Sequence, residues 1–137
     1  MITANGTPDQ SQVCWVIDID WYEQNNRSFD DLARRGLCET CAAKVGKRKR
    51  KKSSAEIIDT IKECCGQLPD YIPPKLPIAE SIFRILLASG NQPMTAHQIG
   101  SLLSERRGIE VYSGDFEIIT RILKNDYLYG FKQVTEE

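Results

Sequence analysis

The sequence predicts a mainly helical protein with a minor β component, in two parts: a small cysteine-rich N-terminal region and a tri-helical C-terminal module. Three observations predict it. Residues 78–134 carry three apolar stripes at helical spacing, separated by turn signals and followed by one strand-like run. All five cysteines fall between positions 14 and 65. Between the two parts lies a connector, 67–77, in which Pro69, Pro73, Pro74 and Pro77 permit neither regular helix nor central strand.

Taken in order, residues 1–11 are polar and read as a frayed tail. Residues 13–22 are aromatic and β-branched, which suggests a strand, although Asp20 could equally begin a short helix. Ser28, followed by Asp30 and Asp31, opens a helix that Gly36 stops. Cys38-Glu39-Thr40-Cys41 comes directly after. Ser53 and Glu56 have the spacing of a capping box, and Ile57, Ile58 and Ile61 lie on one face of the helix that follows, with Cys64 and Cys65 at its foot. In the C-terminal module the first helix runs from Ile78 to Ser89 with Ile82, Ile85 and Leu86 inward. Thr95 and Gln98 form a second capping box, with Ile99, Leu102 and Leu103 buried behind it. A third helix begins at Ser113-Gly114-Asp115 and buries Phe116, Ile119, Ile122 and Leu123, and Tyr129–Val134 closes the chain as a strand.

Five cysteines without a secretory leader argue against a disulfide framework. The N-terminus has neither a basic start nor an apolar core, and the longest apolar runs are too short to span a bilayer, so a cytoplasmic protein is expected, or a nuclear one in a eukaryote, with no membrane partner. A CxxC turn brings two thiolates onto one tetrahedral zinc. Cys38 and Cys41 fit that role. The remaining ligands would come from Cys14, Cys64 and Cys65. Adjacent helical residues point about 100° apart, so the expected set is Cys14, Cys38, Cys41 and one of Cys64 or Cys65. The alternatives are cysteines that are simply buried apolar residues, and a redox pair. A redox CxxC normally opens a helix after a strand, whereas this one follows a helix. Residues 12–66 are short of large aliphatics, and so small a region usually needs a staple such as structural zinc.

The charge is unevenly placed. Lys47, Arg48, Lys49, Arg50, Lys51 and Lys52 are consecutive, while the rest of the chain has 12 basic against 19 acidic residues. Such a run is solvated unless a polyanion binds it. It reads as a phosphate-gripping segment, a nuclear import signal or a plain linker. A single histidine, no Gly-rich phosphate loop, no nucleophile elbow and no HExxH motif argue against an enzyme, and no small-molecule substrate is expected.

Residues 82–95 (with the Gly90-Asn91-Gln92-Pro93-Met94 turn), Ile99, Leu102-Leu103, residues 118–126 and Tyr129-Gly130-Phe131-Lys132-Gln133-Val134 together resemble the winged helix-turn-helix superfamily, in particular its HARE-type branch. The resemblance covers residues 78–134. It implies a winged-helix-like module whose third helix enters the DNA major groove. Carried over by position, Ser113, Glu117, Thr120, Arg121 and Lys124 would face the groove, and His97, Arg106 and Arg107 would reach the phosphate backbone. After Leu123 only one strand's worth of sequence remains, so the wing is expected to be short or absent.

The resulting organisation is a tail (1–11), a zinc-stapled region (12–66) containing the basic run 47–52, a connector (67–77) and the winged-helix-like module (78–134). The expected function is that of a small zinc-containing protein associated with DNA or RNA, with a transcription-related role as one form of it, through residues 47–52, Thr120, Arg121 and Lys124. The competing expectation is a protein-interaction adaptor or homodimer with structural zinc. Its warrant is that residues 78–137 hold six basic and eight acidic side chains, with Asp115, Glu117 and Asp126 on or beside the third helix.

Overall fold

A computed structural model describes residues 13–46, 53–107 and 116–135. The basic run 47–52 and Ser113 lie outside the described residues. The chain is mainly helical with one small antiparallel sheet. The N-terminal region contributes β1 (Val13–Ile17), α1 (Ile19–Gln24), α2 (Phe29–Arg34), α3 (Glu39–Gly46) and α4 (Ser54–Glu63). Two single-turn 3-10 segments follow, Cys65–Gln67 and Pro69–Tyr71, and then α5 (Ile78–Ala88), β2 (Met94–Thr95), α6 (Ala96–Arg107), α7 (Phe116–Asn125) and β3 (Phe131–Thr135).

The helix starts follow the capping chemistry. The Ser28 hydroxyl accepts the N–H of Asp31, and Ser53 and Glu56 exchange reciprocal bonds of 3.2 Å each. Thr95 and Gln98 do the same at α6, at 2.9 and 3.1 Å. Each bond satisfies an N–H that the first turn of a helix otherwise leaves open. The apolar run at 13–22 divides: it is strand only to Ile17 and helix from Ile19.

The sheet joins the two ends of the chain. Its strand order is β2-β1-β3, with β1 antiparallel to both neighbours. Cys14 faces Thr95 on one side and Val134 on the other. The single strand expected after Leu123 is β3, and its pairing partner is the N-terminal strand. Asn91 reinforces this join. Its side chain accepts the N–H of Ile17 at 2.8 Å and donates to the Ile17 carbonyl at 2.9 Å. Asn91 sits at φ 57, next to Gly90 at φ 79, a left-handed conformation that glycine and asparagine tolerate best.

One apolar cluster draws on both regions. Trp15, Tyr22, Phe29, Ile57 and Ile61 pack in the same core as Ile82, Leu86, Ile99, Leu103 and Ile119. Among the described residues, no helix is long and apolar enough to cross a membrane.

Candidate metal centre

Four of the five cysteines converge. The Sγ atoms of Cys38, Cys41, Cys64 and Cys65 lie within 4.8 Å of one another. Cys38 is the residue before α3, and its carbonyl receives the N–H of Ala42 at 2.8 Å, the first bond of that helix. Cys41 lies one turn in and is buried. The CxxC therefore does open a helix, although it also follows one, because Gly36 ends α2 only two residues earlier and the chain turns straight into α3.

The second pair breaks the expectation that only one of Cys64 and Cys65 takes part. That expectation assumed regular helix. Cys64 still donates its N–H to the Thr60 carbonyl, but its own backbone leaves the helix at φ −132, ψ −80, and Cys65 starts a 3-10 turn. Released from helical geometry, the two adjacent side chains point into the same site. Gly66 makes the turn possible. A Cβ there would lie 2.8 Å from both the Ile61 carbonyl oxygen and the Ala88 side chain, closer than atoms pack.

Cys14 lies outside the group of four. It is fixed in the central strand of the sheet and is 4% exposed, so the fourth thiol comes from the Cys64-Cys65 pair and not from β1.

The donor set fits a tetrahedral thiolate-bound ion. Zinc–sulfur bonds of about 2.3 Å in a tetrahedron place the sulfurs about 3.8 Å apart. Cys38 Sγ lies 3.9 Å from Cys64 Sγ and 3.6 Å from Cys65 Sγ. The Cys38 N–H also donates to Cys65 Sγ at 3.2 Å, a bond that strengthens when the sulfur is a thiolate. The thiol of Cys38 is held down, at about 7, by the backbone N–H and then the side chain of Cys41. Burial pushes Cys41 and Cys65 up, and hydrogen bonding with Cys41 and Cys38 pushes Cys64 up. One thiol is thus poised to ionise while three hold their protons until something replaces them. A cleft of about 710 Å³ reaches Cys38, Cys64 and Cys65 from solvent, with Arg35, Asp70 and Arg84 in its walls.

The site is tied to the C-terminal helices by a residue that the sequence reading assigned elsewhere. The guanidinium of Arg106, at the end of α6, donates to the carbonyls of Gly66 at 2.9 Å and Leu68 at 3.2 Å. Arg107 donates to the carbonyls of Pro74 and Leu76 and to the Ser81 hydroxyl. Both side chains are bound internally, so neither is placed to reach a phosphate backbone. His97 is exposed. On α7, Thr120 is only 9% exposed and cannot face a groove, whereas Glu117, Arg121 and Lys124 are exposed. No family model, curated protein or solved structure matches the chain.

Proposed function

We propose that the chain is a non-enzymatic binding protein in which Cys38, Cys41, Cys64 and Cys65 hold a structural zinc ion, and which associates with DNA or RNA. The observation that carries the metal assignment is the convergence of four sulfurs within 4.8 Å of one another, with Cys38 at 3.9 and 3.6 Å from Cys64 and Cys65. All-thiolate sites with no position left for water are structural. The ion would clamp α3 to the turn after α4, in a region that supplies few large aliphatics of its own. The nucleic-acid reading rests on residues 47–52, and on α5–α7 taken with the sheet as a winged-helix-like unit whose α7 presents Arg121 and Lys124 to solvent.

A second reading, an adaptor that binds another protein, is favoured by Glu117 on the same exposed face of α7 and by the acidic balance of residues 78–137. Metal analysis of the purified chain and a duplex titration across a salt series separate the two. The nucleic-acid reading expects about one zinc per chain and a log–log salt slope near roughly −5 if all six residues of 47–52 neutralise phosphates. Zinc with no nucleic-acid affinity at low salt leaves the adaptor. A metal-free, fully folded chain rejects the zinc assignment.

A further inference from the structure

The turn between α7 and β3 holds an aromatic side chain out in water on a rigid mount. The Asp126 carboxylate accepts three backbone N–H groups, from Leu128 at 3.1 Å, Tyr129 at 3.0 Å and Gly130 at 3.1 Å. The far side of the turn is pinned to α1. The Tyr22 hydroxyl donates to the Tyr129 carbonyl, the Asp18 N–H donates to the Gly130 carbonyl at 2.8 Å, and Gly130, at φ 68, lies too close to Trp21 for a Cβ to fit. On this mount Tyr127 is 77% exposed and Leu128 43%. An aromatic on a stiff turn spends little conformational freedom when it binds.

Its neighbours on α7 are cationic. Arg121 and Lys124 are exposed, and neither forms an ion pair among the described residues. Glu117 shares their face but sits two turns from Lys124, about 10 Å along the axis. Lys124 therefore stands at the end of α7 that carries Tyr127 and Arg121 one turn further back, while the acid at this end, Asp126, has its carboxylate turned to the backbone N–H groups of the turn.

We propose that this end of α7 and its turn form a site for single-stranded nucleic acid, with Tyr127 stacking on an unpaired base and Arg121 and Lys124 meeting the flanking phosphates. The inference rests on the nucleic-acid reading above and adds to it a strand type and a residue. An exposed ring beside a short cationic strip is the combination that binds single strands without sequence preference. In a duplex the base faces are already stacked and offer such a ring nothing. Two cations contribute a salt slope of only about −1.4 on a single strand, so the aromatic contact carries the preference for an unpaired strand.

The test uses the full zinc-loaded chain and fluorescence anisotropy with labelled oligothymidylate and with a random duplex. Tyr127→Ala is expected to weaken oligothymidylate binding roughly 5- to 150-fold, the value of one stacked base, with duplex binding unchanged. Tyr127→Phe keeps the ring and is expected to bind as wild type. Thermal melts confirm that each variant is folded, which the exposure of Tyr127 favours. Oligothymidylate binding that survives Tyr127→Ala overturns this site but leaves the nucleic-acid reading standing on residues 47–52. Equal losses on duplex and single strand also overturn it. No binding of either probe by wild type removes both.

Discussion

Proton counting is the sharpest test of the metal centre. Zinc takes thiolates, so every ligand that is protonated in the free protein releases its proton on binding. At pH 7 three of the four thiols, Cys41, Cys64 and Cys65, are held above their ordinary value of 9 and are protonated. Cys38, at about 7, is half ionised. Binding at pH 7 should therefore release about three and a half protons per zinc. The sign follows. Lowering the pH supplies the competing protons, so affinity falls, and the stability that zinc confers is present at alkaline pH and lost as the solution is acidified. Between pH 7.5 and 6.5 the apparent dissociation constant should rise about 3,000-fold, which is ten raised to roughly 3.5. Calorimetry in buffers of different ionisation enthalpy counts the protons directly, and competition with a chromophoric chelator follows the affinity. Cys14→Ser should leave the count unchanged, and Cys64→Ser should lower it by about one. A count of two or fewer in the wild type would refute a four-thiolate site and leave the CxxC alone.

Two further perturbations test how the site is supported. Asn91→Ala removes both side-chain bonds to Ile17 and leaves its N–H and carbonyl unpaired. At about 1–3 kcal/mol for each orphaned group, the loss is roughly 2–6 kcal/mol, a fall in Tm on the order of 10 °C. Differential scanning calorimetry reads it, and an unchanged Tm would mean that Asn91 does not anchor β1. Gly66→Ala puts a methyl group against Ile61 and Ala88 and should cost about 1–3 kcal/mol. Because the displaced turn carries Cys65, zinc affinity should drop with it, and chelator competition on the variant would show whether turn and metal are coupled in this way.

Much of the architecture is legible locally. Ser28, Ser53 with Glu56, and Thr95 with Gln98 declare three helix starts by their side-chain chemistry, and each bond is present. The stripes of α4 and α5 name their buried residues, and of the α7 stripe Ile119 and Leu123 are buried and Ile122 partly so, because helical periodicity is a local signal; the side chain of Phe116 lies outside the described residues. What the sequence does not carry is the pairing of β1. A strand and its partners more than seventy residues away share no local mark, so the strand at 13–17 reads as part of the N-terminal region although it lies between β2 and β3. The same gap explains the ligand set. Spacing brings Cys38 and Cys41 together, but the choice between Cys14 and a second residue of the Cys64-Cys65 pair depends on a departure from helix at Cys64. Gly66 is the one sign of it, since a glycine directly after two cysteines permits the tight turn that regular helix would not make. Arg106 and Arg107 read as phosphate contacts by position, and only the fold reveals the carbonyls they hold. The chemistry of residues 47–52 lies outside the described residues.

The location of the sulfurs bears on why this chain would use a metal at all. The four cysteines lie where three layers meet. Cys38 immediately precedes α3 and Cys41 stands on it, and Cys64 and Cys65 form the turn after α4. That turn is pressed onto α5 through Gly66 and Ala88, and held to α6 through Arg106. Among the described side chains of α3, Cys41 is the one in the shared core. A thiolate-bound ion would attach the start of α3 directly, because two of its four bonds would be to Cys38 and Cys41 and two to a turn already fixed by α5 and α6. The basic run 47–52 begins immediately after α3. Securing α3 therefore also fixes the residue after which that run begins. A structural ion placed here would set the origin of the chain's densest positive charge relative to α7 without touching any partner itself.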